Sequence, residues 1–231
     1  MPTLSEARPM IAQALAIPIG RRAAIPSGSS RFEALVALLG SRTPRSNRGD
    51  RLASALDDAG LLDPEALASA SLDELTDTLR DARVEAPVAT LRLIQRVAAW
   101  FQAHRDELER DPDPAEEPHQ LWRDELAGIN GIGRATADAI VLRIFGAATY
   151  PLDRATYRIF VRHGWIDPTA EYDEVASLII GVWRADPAAL EAFSRGMADI
   201  GGRFCKPAAP RCERCPLRSV LPPGGPIEVG E

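Results

Sequence analysis

Lysine is almost absent from this chain. Of its 27 basic residues only Lys206 is a lysine, and all the others are arginine. A guanidinium stays protonated and does not act as a nucleophilic amine, so amine chemistry has a single side chain to draw on. Aromatic residues are scarce as well, at 6%, which leaves few rings for stacking a ligand. No apolar run approaches the roughly 20 residues of a membrane-spanning helix. The opening Met1-Pro-Thr-Leu-Ser-Glu-Ala-Arg8 also lacks the basic-then-apolar order of a signal peptide. The expectation is a cytoplasmic protein with no membrane partner. Excess positive charge is missing too: the net charge is −6, which argues against coating nucleic acid by charge alone. Binding through backbone amides and a local basic face stays open.

What is present is helical pattern. The 231 residues are 45% hydrophobic, enough for one large domain or two small ones with real cores. Residues 1–30 read as irregular, broken at Ile17-Pro-Ile-Gly20 and Ile25-Pro-Ser-Gly28. From Arg31 on, Phe32, Leu35, Val36 and Leu39 form an apolar stripe, and Asp50 to Leu61 gives a second helix ended by Gly60. Asp63-Pro64 reads as a cap followed by proline at the first helical position, and Ser71-Leu-Asp-Glu74 as a capping box. Pro87 opens a long helix to about Arg105, after which the proline-rich 111–118 forms a loop. Further helices are expected over 121–127, 134–145, 172–184 and 187–200. No alternating pattern of any length marks a strand, so the fold class is all-α.

The most informative stretch is Leu126-Ala-Gly-Ile-Asn-Gly-Ile-Gly-Arg-Ala-Thr-Ala137. Gly128, Gly131 and Gly133, in a hairpin between two helices, are expected to let the backbone adopt positive φ and come close to another surface. The first N–H groups of the second helix, at Gly133, Arg134, Ala135 and Thr136, then face outward as a phosphate site. Eighteen residues beyond Ala135 stands Asp153, in Tyr150-Pro-Leu-Asp-Arg-Ala-Thr-Tyr-Arg158, at the cap of a helix. Near the C-terminus, Cys205, Cys212 and Cys215 have the spacing C-x6-C-x2-C. No histidine lies near them in the chain, because His104, His119 and His163 are all upstream. The proline- and glycine-rich residues after 221 read as a tail with little reason to fold.

Ile129-Asn-Gly-Ile-Gly-Arg-Ala-Thr-Ala137 resembles the helix-hairpin-helix of the endonuclease III superfamily. Leu152-Asp153 with Arg158 resembles that family's catalytic aspartate segment, and Arg31–Leu39 its first barrel helix. The resemblance covers roughly residues 30–216. It implies a two-lobed helical fold, with a barrel over 24–147 and a second lobe of 1–23 plus 148–231, and double-stranded DNA held in the groove between them by a monomer. It also implies a DNA repair glycosylase that flips a damaged base out of the duplex and uses Asp153 to stabilise an oxocarbenium-like sugar and activate water.

The resemblance is incomplete in three places. Bifunctional members carry a Schiff-base lysine where this chain has Ala135, so a monofunctional enzyme without lyase activity is implied. The adenine-excising branch uses a glutamate where Ala37 stands. The run 131–140 looks more like the 3-methyladenine branch, which points to an alkylated purine as substrate. The family's wedge loop reads Gly40-Ser-Arg-Thr-Pro-Arg-Ser-Asn47, with Thr43 at the wedge position and Arg42 and Arg45 as candidate contacts to the helix or its phosphates. The cysteines sit where the family keeps a [4Fe–4S] cluster, but the fourth cysteine position is Leu221. A cluster with a non-cysteine or exogenous fourth ligand is expected; the alternatives are a three-iron cluster, zinc, or a site that has lost its metal. A non-catalytic DNA-binding relative, or residual lyase activity, are the competing functional readings.

Overall fold

The computed structural model describes residues 2–17, 29–41, 47–108 and 119–227. Regular structure among them is entirely helical: α1 (Leu4–Ala14), α2 (Ser29–Gly40), α3 (Arg48–Asp58), α4 (Pro64–Ser69), α5 (Leu72–Asp81), α6 (Val88–Ala103), α7 (Arg105–Leu108), α8 (His119–Gly128), α9 (Arg134–Ile144), α10 (Arg154–His163), α11 (Tyr172–Val182) and α12 (Pro187–Arg203). Two single 3-10 turns follow at Cys212–Arg214 and Arg218–Val220. None of these helices is long and apolar enough to cross a membrane.

The helix starts follow from side-chain caps. Asp63 Oδ1 accepts from the amides of Glu65 and Ala66 at 2.9 and 3.2 Å, Ser71 Oγ from Glu74 at 3.1 Å, and Asp186 Oδ1 from Ala188 and Ala189 at 3.0 and 3.3 Å. Each satisfies amide groups that the first helical turn leaves without a partner.

Two expectations are corrected. Residues 1–30 are not irregular throughout, because α1 occupies Leu4–Ala14. Thr3 and Glu6 form a reciprocal capping box, with the Thr3 amide donating to Glu6 Oε2 at 2.7 Å and the Glu6 amide to Thr3 Oγ1 at 3.3 Å. Leu4, Ala7 and Ile11 bury one face, and the exposed Pro9 is tolerated within the helix. The segment after Leu221 is also not a loose tail as far as residue 227. A turn closes with Gly225 N–H to Pro222 O at 3.0 Å, and Ile227 N–H donates to Arg162 O at 2.9 Å.

The chain divides into two compact units, Ala24–Phe145 and Met1–Ala23 with Gly146–Glu231. In the first, α2 packs on α3 and α6, with Phe32 and Phe101 rings 5.1 Å apart and Leu35, Leu52, Leu56, Leu75 and Ile94 buried around them. The α2–α3 approach is so close that a Cβ on Gly49 would stand 1.8 Å from Ala37 O. In the second unit, α10 packs against α12. Phe193 of α12 is fully buried and makes ring contacts with Tyr150, Phe160 and Trp183, at 5.7, 6.2 and 5.0 Å.

These glycines differ in a measurable way. Gly49→Ala forces backbone apart and is expected to cost about 3 kcal/mol, the upper range for overpacking. Gly181→Ala, within α11 and with nothing within 4 Å of the new methyl, is expected to add about 0.5 kcal/mol. Denaturant titration of both variants checks the opposite signs.

Candidate functional site

The hairpin between α8 and α9 is built by two turn bonds, Ile129 N–H to Leu126 O at 3.0 Å and Ile132 N–H to Ile129 O at 2.9 Å. Ile132 is buried and Ile129 half-buried, so the loop is pinned by its apolar residues. Across the helices Arg123 grips Asp138 with two bonds, Nε to Oδ1 at 2.6 Å and Nη2 to Oδ2 at 3.2 Å. Asp138 is only 2% exposed, so this charge-assisted pair works away from water.

Of the three glycines expected to need positive φ, only Gly131 has it, at +99°. Gly128 ends α8, and Gly133 is extended at φ −91°, ψ 168°, as the N-cap of α9 with no side-chain cap bond. A methyl on Gly133 would meet nothing within 4 Å. Its small size therefore serves no packing need within the protein and leaves the backbone face open. The amides of Thr136 and Ala137 return to Gly133 O at 2.9 and 3.0 Å. Those of Gly133 and Ala135 bond to no backbone carbonyl among the described residues. Gly131, Gly133 and Arg134 are exposed, and Ala135 and Thr136 half-buried. Amides left open at the start of a helix are groups of the kind that can donate to an anion.

One residue beside it escaped the sequence reading. Arg96 of α6 is exposed, and its Nη2 stands 3.4 Å from the place a Cβ of Gly131 would take. The apolar stripe of α6 lies on the opposite face, and the sequence signal for Arg96 is its basic spacing with Arg92. Arg42, Thr43 and Arg45 lie outside the described residues.

Asp153 belongs to the other compact unit. The residues before it are fixed: Tyr150 is fully buried, and Leu152 N–H is shared between Tyr150 O at 2.9 Å and Tyr172 Oη at 3.2 Å. Asp153 is the N-cap of α10, with Oδ1 accepting from Thr156 N–H at 2.6 Å. The side chain is half-buried, and Oδ2 has no hydrogen-bond partner among the described residues. A carboxylate is thus held by one oxygen and leaves the other available.

The far end of α10 organises the cysteines. Cys205, Cys212 and Cys215 line one cavity together with Ile159, Arg162, His163 and Leu221. The cavity has a volume of about 310 Å³, including its open mouth. Arg158 donates Nε and Nη2 to Cys205 O at 2.9 and 2.7 Å. Arg162 donates to Cys205 Sγ at 3.3 Å and to the carbonyls of Lys206 and Pro207, both at 2.6 Å. Burial pushes the Cys215 and Cys212 thiols above their ordinary value, with the neighbouring Cys205 adding to it and Arg162 opposing it at Cys212.

The spacing in sequence set every histidine apart from these thiols; the fold brings His163 into the same lining. Its ring stacks on Trp165 with centroids 4.5 Å apart, and Nδ1 lies 3.2 Å from Val220 O. Burial holds its pKa below the usual imidazole value, partly offset by that bond. No trio of His, Cys, Asp or Glu among the described residues is set for a single metal ion. By donor chemistry, three soft sulfurs and an imidazole around one cavity fit an iron–sulfur group.

No family model matches the chain. A protein of Methanocaldococcus jannaschii inferred to be a DNA repair glycosylase is 31% identical over 98 residues, 42% of this chain and 44% of that protein. Endonuclease III of Sulfolobus acidocaldarius is 26% identical over 159 residues, 69% of this chain and 66% of that protein. The chain therefore spans less than half the length of the first relative and just under two thirds of the second. Among solved structures, endonuclease III trapped on DNA as a covalent intermediate has the same fold, with a TM-score of 0.60 at 20% identity over 95% of this chain and 96% of that one. The chain thus has the all-helical fold of endonuclease III and is similar in sequence to endonuclease III-like DNA glycosylases.

Proposed function

We propose that the protein is a monofunctional DNA glycosylase that hydrolyses the N-glycosidic bond of a damaged base, an alkylated purine, in double-stranded DNA. The observation that carries this reading is the half-exposed Asp153 carboxylate, tied through Oδ1 to Thr156 N–H and leaving Oδ2 without a partner among the described residues. The amides of Gly133 and Ala135 supply a phosphate site that needs no lysine, and Arg134 and Arg96 add positive charge next to it. Such contacts hold DNA in spite of the acidic net charge.

The chemistry follows from the groups present. As the C1′–N bond breaks, its electron pair leaves with the base and the sugar becomes cationic. Asp153 stabilises that charge and accepts a proton from the water whose oxygen bonds to C1′. An alkylated purine already carries positive charge and leaves without a strong acid, which suits a pocket with one carboxylate. The first turn of α9 offers Ala135, not an amine, so no Schiff base forms there. Cys205, Cys212 and Cys215 bind a [4Fe–4S] cluster that serves to brace the C-terminal loop. The protein acts as a monomer.

The competing reading is a DNA-binding protein without turnover. It is favoured by the cap bond of Asp153, which an aspartate with a purely structural role would also make.

Asp153→Asn separates the two, because asparagine caps a helix as well as aspartate does. Its stability should stay within about 0.5 kcal/mol of the parent, while single-turnover excision from an alkylated duplex should fall about 100-fold or more. A parent protein that binds duplexes but releases no alkylated, oxidised or deaminated base would establish the non-catalytic reading. Borohydride should trap no covalent adduct with abasic DNA. In the hairpin, Gly131→Ala should lower stability by about 1–2 kcal/mol through its left-handed backbone. Gly133→Ala should leave the melting midpoint unchanged and weaken duplex binding several-fold, measured by fluorescence anisotropy.

A further inference from the structure

We infer that His163 supplies the fourth protein ligand, through Nε2, to the iron–sulfur group held by Cys205, Cys212 and Cys215. This rests on the cofactor reading given above. Leu221, at the position of the superfamily's fourth cysteine, lines the cavity but its isobutyl side chain offers no donor atom. His163 lines the same cavity and is 5% exposed.

The tautomer of the ring is already set. Nδ1 faces Val220 O at 3.2 Å, and a carbonyl can only accept, so Nδ1 carries the proton and Nε2 carries the lone pair. A ligating histidine commonly donates its other ring N–H to a backbone carbonyl in this way, which fixes tautomer and direction. The accepting carbonyl belongs to the residue immediately before Leu221, so the imidazole is anchored to the very stretch in which the cysteine is missing. Trp165 stacks on the ring at 4.5 Å and 26° between planes, restricting its rotation. Nε2 makes no hydrogen bond or ion pair among the described residues. The same helical face carries Arg162, whose guanidinium donates to Cys205 Sγ at 3.3 Å. Imidazole in place of a thiolate also removes one negative charge from the ligand set, which suits a cavity where, among the described residues, Arg162 alone donates to a sulfur.

The test is made on the full chain, reconstituted anaerobically with ferrous iron and sulfide. About four irons and four sulfides per chain are expected. The protein is then reduced by irradiation at cryogenic temperature, so that the paramagnetic state does not depend on its potential. Pulsed EPR of protein grown with 15N-histidine against unlabelled protein should show a nitrogen coupling that changes with the isotope. His163→Cys should keep the iron and sulfide content and lose that coupling. Should this variant fail to fold, judged by circular dichroism, the isotope comparison on the parent protein still decides. A reconstituted cluster with no histidine nitrogen coupling, or a coupling that survives in His163→Cys, overturns the ligand assignment and leaves the cofactor reading standing. A parent protein that takes up no iron and sulfide overturns the cofactor reading itself and this inference with it.

Discussion

The hydrogen bond from Thr156 N–H to Asp153 Oδ1, 2.6 Å long, starts the helix on which both candidate chemistries rest. It satisfies one of the amides that a first turn leaves orphaned, and it fixes the rotamer of the carboxylate by doing so. From that start α10 runs ten residues to His163. Its face at Ile159, Arg162 and His163 closes on the cysteines, and Phe160 packs on Phe193. A frayed first turn would therefore loosen the carboxylate, and with it the register of the arginines that grip Cys205 O and Sγ.

The acidic composition and the proposed DNA contact are reconciled by where the positive potential comes from. At the α8–α9 hairpin it comes from backbone amides, supported by exposed arginines, and the protein as a whole needs no excess of cations. Nearly exclusive use of arginine has a second effect at the cysteine loop. A planar guanidinium can reach several acceptors at once, and Arg162 does so with a thiol and two carbonyls, whereas an ammonium is a point donor on a flexible stem.

Much of the fold was legible because it was locally encoded. Asp63 and Asp153 cap helices as their sequence contexts indicate, Ser71 caps its helix through one half of the expected box with Glu74, and the apolar stripes of α2 and α6 are buried as their spacing requires. The α1 helix is announced in the sequence only by the Thr3–Glu6 capping box, against the helix-breaking prolines around it. The three glycines of the hairpin look alike in sequence, yet only Gly131 takes up a left-handed backbone; the distinction depends on how the turn closes at Ile129 and Ile132. His163 illustrates the real limit. Its approach to the cysteines is produced by the packing of α10 on α12 and by the fold of the C-terminal loop, and no local pattern in either segment announces it. Arg96 beside Gly131 is a contact of the same long-range kind.

The placement of the cap and the cysteine loop at opposite ends of one helix has a mechanical consequence. Ten residues at 1.5 Å each make a rod about 15 Å long, stiffened along its length by continuous hydrogen bonding and by burial of one face. Damage to the loop, such as oxidation of a thiol, would leave the carboxylate chemically intact and instead release the far end of the rod that carries it. Loss of function after such damage would then be a failure of bracing, reversible once the loop is rebuilt.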